Sequence, residues 1–234
     1  MNPTAPATYR VLLGLLARGK ASQRELASDL DVSFGQVSNV FRWLEENGFV
    51  ERGPTVDRGS RGRAREVYLL TNPTGLLRAI SLFRPMERLR RFSVTIDVPK
   101  EKLLADLRRR AVVFCLGTAL ERYSRFYRSD EISFYALADT GAHGAEAIRR
   151  DLSGEKEGIT KATCYVLGTG IHGRRKPEPS PAKDAFGRLA RHGVVTRIRG
   201  DYVTTKVQTV VDLFCDGKAF AARDLLKDLW GVQL

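Results

Sequence analysis

Gln36, Ser38, Asn39 and Arg42 carry the hydrogen-bonding groups that read base edges, and all four fall within one stretch of seven residues. Gln and Asn pair donor with acceptor in the pattern adenine shows in the major groove, and the Arg fork matches guanine. Ser33 stands just before them. A second group follows at Arg58, Arg61, Arg63 and Arg65, in a 54–65 segment that also holds Gly59 and Gly62. Guanidinium forks suit phosphate oxygens, and glycines let a loop come close to a surface. The chemistry on offer is recognition of a duplex, from its groove and from its backbone. Each group has a plainer alternative: the polar face of an ordinary helical bundle, and a solvated basic turn. The position of the arginine segment directly after the polar helix favours recognition.

A third constellation has the outline of catalysis. Gly117-Thr118 is followed, after twelve residues, by Glu131-Ile132-Ser133. That echoes the nucleotidyltransferase layout, in which a Gly-Ser or Gly-Gly turn precedes Asp-x-Asp/Glu on the next strand. Such chemistry needs two or three carboxylates to hold Mg²⁺ on nucleotide phosphates. Here Ser133 stands where the second carboxylate belongs, and the nearest further acid is Asp139. Glu131 then reads as a strand-edge surface charge, and no catalytic residue is assigned. Gly168-Thr169-Gly170-Ile171-His172-Gly173 lacks both the GxGxxG spacing and a following helix, so it reads as a loop. The three histidines (His143, His172, His192) and three cysteines (Cys115, Cys164, Cys215) are scattered without ligand spacing. Neither a metal site, a cofactor nor a disulfide framework is expected.

The recognition groups need positioning elements. Residues 9–18 have the spacing of an amphipathic helix, ended by Gly19-Lys20. Ser22 and Glu25 form a capping-box pair for a second helix at about 22–30 that buries Leu26 and Leu30. Asp31-Val32 is a tight turn, and Ser33 with Gln36 caps a third helix that runs to Asn47 before Gly48. Val37, Val40, Phe41 and Leu44 are its buried stripe. Two capped helices joined by a short turn make a helix-turn-helix, with the third helix in the reading position. Residues 49–53 and 66–70 read as antiparallel strands around the arginine segment, which places that segment as a wing.

Residues 9–71, and above all SQRELASDLDVSFGQVSNVFRWLEENGFVERG with its LxxNGFVxR ending, resemble the winged helix-turn-helix of MarR-like and related prokaryotic regulators. The resemblance covers about a quarter of the chain and implies the fold and duplex DNA as partner, not a particular DNA sequence.

Beyond it, 76–83 reads as a further helix and 84–91 as a basic patch on a helix, with 92–98 as a strand and 100–110 as a charged amphipathic helix. Strand and helix patterns then alternate: strands at 112–116, 132–137 and 161–167, helices at 118–127, 142–152 and 182–191, a hairpin about Gly200-Asp201, and closing helices at 206–215 and 218–229. The segments VVFCLGTALERYSRF…ISFYA and DYVTTKVQTVVDLFCDGKAFAARDLLKDLW resemble the antitoxin of abortive-infection type IV toxin–antitoxin systems, the AbiEi group. That resemblance implies binding to the protein's own promoter and a cognate toxin of nucleotidyltransferase type as protein partner.

The expected fold class is α+β. Residues 1–83 form a winged helix-turn-helix domain, 84–100 a basic linker and strand, and 101–234 an α/β domain with a small mixed sheet. The net charge of +12, with 39 Lys+Arg against 27 Asp+Glu, calls for a polyanionic partner. No apolar run approaches the roughly 18 residues of a membrane span, and 1–6 lacks the regions of a signal peptide, so a cytoplasmic protein without a membrane partner is expected. The resulting expectation is a transcription regulator, a repressor by the resemblance. A two-fold homodimer is the default for paired half-sites. The alternatives are a nucleotidyltransferase-like enzyme with a nucleic-acid-binding head, a protein that coats DNA without sequence preference, and a module whose winged helix binds protein.

Overall fold

Pro6 opens the first helix, at a position where its missing N–H costs no hydrogen bond. A computed structural model describes residues 1–53, 66–110, 112–138, 144–152, 158–167 and 193–234. In it α1 spans Pro6–Arg18, three residues longer at its start than its apolar spacing indicates, and buries Val11, Leu12, Leu13, Leu15 and Leu16. Gly19, at φ 68°, closes it with its amide on the Leu15 carbonyl. Directly after, Lys20–Ala21 forms a short strand, β1, which the sequence reading did not foresee.

Helix α2, Gln23–Leu30, begins in a full capping box: Ser22 Oγ accepts from the Glu25 amide, and the Glu25 carboxylate accepts from the Ser22 amide. Ser22→Ala removes an acceptor at a buried helix start. The loss of about 1 kcal/mol expected for such a cap should appear as a lower urea midpoint at an unchanged slope. Helix α3 spans Phe34–Glu46. Strands β2, Val50–Arg52, and β3, Tyr68–Leu70, pair antiparallel, and β1 pairs with β3 on its other side. Helix α4, Pro73–Phe83, is capped by Asn72, whose side chain accepts from the Gly75 amide at 2.8 Å. A Cβ on Gly75 would lie 2.5 Å from the Asn72 amide nitrogen, so this cap requires glycine.

The helix expected over 84–91 is not formed. Arg84 precedes Pro85, which excludes it from the helical region, and its φ of −131° ends α4. A 3-10 turn at Met86–Arg88 follows, pinned by fully buried Met86, and then strand β4, Arg91–Ile96.

Among the described residues the remaining helices and strands are α5 (Lys100–Arg109), β5 (Val113–Phe114), α6 (Leu116–Tyr123), β6 (Glu131–Leu137), α7 (Ala145–Leu152), β7 (Thr160–Leu167), β8 (Val195–Ile198), β9 (Asp201–Thr204), α8 (Lys206–Cys215) and α9 (Arg223–Trp230). A 3-10 turn at Ala219–Ala222 leads into α9, where a single helix from 218 was expected. Helix α6 stops four residues short of its expected end, and Tyr123 is tied there by its hydroxyl to the Thr204 carbonyl at 2.7 Å. The helix expected at 182–191, the 168–173 loop, Asp139 and all three histidines lie outside the described residues.

Six strands form one mixed sheet in the order β4-β7-β6-β5-β9-β8. The β6–β7 and β5–β9 pairs are parallel and the others antiparallel. Side chains alternate across it with the period of two that strands impose. Phe114, Ile132, Phe134, Ala136, Ala162 and Cys164 face α5 and α7. Val113, Cys115, Tyr135 and Tyr165 face the opposite way, into a core shared with α1 to α4, α8 and α9. The fold is α+β. Its two cores are separated by the sheet and not by the 84–100 stretch, because apolar packing runs without a break from Leu12 and Leu16 to Val210 and Leu226. Helix α8 is the reason: every residue of Val207–Cys215 is buried, so it has no solvent face and packs on all sides.

Candidate nucleic-acid interface

Helix α3 is placed by what precedes it. Asp31 adopts a left-handed conformation, φ 50°, and gives its amide to the Ala27 carbonyl. That stops α2 and turns the chain within three residues. Buried Val32 anchors the turn, and Ser33 starts α3. Val37, Val40, Phe41 and Leu44 then fasten one face of α3 to the core. The Phe41 and Tyr68 rings meet at 4.6 Å between centroids, which fixes the helix against β3, while Trp43 meets Phe49 at 5.3 Å.

The opposite face is open. Gln36, Asn39 and Arg42 are exposed and Ser38 is half-buried. Ser33 Oγ accepts from the Gln36 amide at 3.3 Å and donates to the Gln36 side-chain oxygen at 3.1 Å. Gln36 thus binds the Ser33 hydroxyl instead of the Ser33 amide that a reciprocal capping box would use. These two side chains are partly committed to each other. Among the described residues, Asn39 and Arg42 make no hydrogen bond or ion pair, and they stand one turn apart on the outer surface.

The hairpin is attached to the far end of the same helix. Arg52 Nε donates to the Glu45 carboxylate at 2.7 Å, and its guanidinium lies 3.7 Å from Glu66. Hydrogen bonding to Glu45 raises the Arg52 pKa above its ordinary value. Gln23 donates to the Tyr68 hydroxyl at 3.1 Å, which joins α2 to β3. Gly53 gives its amide to the Val67 carbonyl at 2.7 Å, one rung beyond the paired strands. Arg58, Arg61, Arg63 and Arg65 lie outside the described residues, between two strand ends that the ladder holds together. No protein-family model matches this chain, and no curated protein matches it significantly. Sequence reasoning passed over Phe34 and Gly35, both exposed at the start of α3. Plotting 34–46 at 100° per residue would have found Gly35 opposite the buried stripe, but it sets Phe34 in line with Val37 and Phe41, so the exposure of Phe34 has no signal in the sequence.

The outline of a nucleotidyltransferase meets a packed turn. Thr118 is buried, and its Oγ1 accepts from the Ser133 amide at 2.8 Å, stitching α6 to β6. A Cβ at Gly117 would lie 2.7 Å from Ser129 Oγ and 3.1 Å from the Tyr127 hydroxyl, so the chain at 127–129 covers the turn. Ser133 is buried. Glu131 begins β6, an inner strand of the sheet and not an edge, and its carboxylate lies 3.1 Å from Lys161 and 3.7 Å from Lys218. All three cysteines are buried and free, and burial pushes their thiols upward, Cys164 to about 12 and Cys215 to about 11.

A buried polar cluster joins the two parts of the molecule. Arg84 forms an ion pair with fully buried Asp212 at 2.8 Å and donates to the Tyr135 hydroxyl at 2.9 Å. Gln208 donates to Asp212 at 2.8 Å and hydrogen-bonds the Tyr9 hydroxyl at 2.9 Å. Burial pushes the Asp212 carboxyl up, with Arg84 and Gln208 acting against it. One network therefore links α1, the end of α4, α8 and β6. The Trp230 indole adds a bond to the Leu16 carbonyl at 2.9 Å.

Proposed function

We propose that this protein is a sequence-specific DNA-binding transcription regulator. The observation that carries the reading is an outward α3 face on which Asn39 and Arg42 stand without partners among the described residues, while the opposite face is locked into the core. Helix α3 enters the major groove, where Asn39 reads adenine and Arg42 guanine. The segment 54–65 reaches the backbone or minor groove with its four arginines. Three helices followed by a hairpin, with β1 closing a three-stranded sheet, form the layout a winged helix-turn-helix uses.

Residues 101–234 serve dimerisation, sensing or a protein partner. The resemblance of this half to AbiEi-type antitoxins supports a cognate toxin as that partner and the protein's own promoter as target. A homodimer on paired half-sites is the expected assembly, and the cytoplasm is where such a regulator works. No helix among the described residues is long and apolar enough to cross a membrane. Ion-paired Glu131 and buried Ser133 weigh against a metal-holding carboxylate pair at the Gly117 turn.

The test is retention of genomic fragments by purified protein at moderate salt, with an Asn39→Ala/Arg42→Ala variant alongside. Wild type should retain discrete promoter fragments and the variant should lose at least tenfold in affinity, since one good bidentate base contact gives about 1–3 kcal/mol of discrimination. The variant's unfolding free energy should stay within about 0.5 kcal/mol of wild type, because both side chains are exposed and have no partner among the described residues. Uniform retention of all fragments would make the protein a DNA coat, and no retention would sink the proposal.

A further inference from the structure

Phe34 is the first residue of α3 and is 52% exposed, in a helix whose Val37, Val40, Phe41 and Leu44 side chains are buried and whose Trp43 is half-buried. Gly35 follows it. A Cβ there would meet nothing within 4 Å, and Gly35 is not among the glycines with positive φ. Neither a turn nor a neighbouring side chain calls for glycine at this position, and a helical glycine is less stable than alanine. Gly35 therefore leaves the α3 backbone bare on its outer side.

Spacing shows what this bare backbone stands beside. Gly35, Asn39 and Arg42 stand at i, i+4 and i+7, one stripe along the exposed face. A surface that engages Asn39 and Arg42 therefore also faces the Gly35 backbone, and the exposed Phe34 ring stands about 100° round the helix from Gly35, at the flank of that face in the same first turn. Amide and guanidinium groups address the polar edges of bases. An aromatic ring beside them matches the apolar group of the major groove, the C5-methyl of thymine.

We infer that Phe34 and Gly35 read a thymine methyl group: Gly35 lets the α3 backbone seat closely in the groove, and Phe34 covers the methyl. This rests on the DNA-binding reading and adds a base preference to it. A retained fragment would contain thymine next to the bases that Asn39 and Arg42 address.

The test uses the full chain and a retained duplex in which each thymine is replaced in turn by deoxyuridine, which lacks only the methyl. Wild type should lose about four- to tenfold in affinity at one or two positions, the scale expected when one methyl contact is removed. Phe34→Ala should lose as much on the thymine duplex and become indifferent to the replacement at those positions. Gly35→Ala should raise the melting temperature by about 2 °C while weakening binding at least tenfold. A structural requirement for Gly35 would move stability the other way. Equal binding of thymine and deoxyuridine duplexes by wild type, undiminished discrimination in Phe34→Ala, or a lower melting temperature for Gly35→Ala would each overturn the inference and leave DNA binding standing. Failure to retain any duplex would overturn both.

Discussion

Arg84→Met should destabilise the protein by about 3–5 kcal/mol, the cost of leaving a buried partner charge uncompensated. Asp212 has no solvent access, and its main counter-charge is the Arg84 guanidinium at 2.8 Å. Methionine keeps much of the volume but offers the carboxylate nothing. At roughly 2–4 °C per kcal/mol for a chain of this size, the melting temperature should fall by about 10 °C. The double variant Arg84→Met/Asp212→Leu should recover most of the loss, because an apolar pair in place of a buried ion pair is often neutral or stabilising. Urea unfolding of both variants checks this. A single-variant loss under about 1 kcal/mol would show that water or rearrangement relieves Asp212, and the cluster would not be the clamp described. The same cluster reaches Tyr9 on α1 through Gln208. The single variant should therefore also loosen the packing of α1 and α4 on α8, seen as faster amide exchange in α1.

Replacing Arg58, Arg61, Arg63 and Arg65 together with alanine should change DNA binding more than any single substitution on α3. If all four meet phosphates, the slope of log affinity against log salt should become shallower by about 3.6, at 0.9 per contact. Referred to 1 M salt, that slope amounts to about a thousandfold in affinity at 0.15 M. Fold stability should be unaffected, since the described rungs of the hairpin, out to Gly53 and Val67, use none of the four arginines. Titrating one labelled duplex at several salt concentrations measures both quantities. An unchanged slope would remove the 54–65 segment from the interface and leave α3 as the sole contact.

Legibility differed with the range of the interactions involved. Ser22 with Glu25 and Ser33 with Gln36 announce α2 and α3 because capping is a contact between residues three apart. The buried stripe of α3 follows from the helical period, and so does the polar face opposite it. The short strand at Lys20–Ala21 carries no such signal: two residues show no period, and only pairing with Tyr68 and Leu69 makes them a strand. The helix expected over 84–91 fails for a reason that is local in part, the restriction before Pro85. The rest is distant, since Arg84 looks like surface charge until Asp212, 128 residues away, is placed beside it.

The candidate interface was the more legible half of the problem. Asn39 and Arg42 face outward because their neighbours at 37, 40, 41 and 44 must face inward, which is a property of spacing. Phe34 was harder, since an aromatic at a helix start reads as core until its exposure is known. The catalytic outline was set aside on the missing carboxylate at Ser133, and the packing adds a reason that spacing does not carry: Ser129 and Tyr127 press against Gly117, and Thr118 is spent on the Ser133 amide.

By itself the sequence determined the local elements, the polar face of α3 and the strong positive charge, because caps, periodicity and charge act within a few residues or by simple summation. Tertiary structure alone decided the strand order β4-β7-β6-β5-β9-β8, the burial of α8 between the N-terminal helices and the sheet, and the pairing of Arg84 with Asp212. These depend on which distant surfaces meet, and a helix as apolar as Val207–Cys215 shows that it must be covered without showing by what.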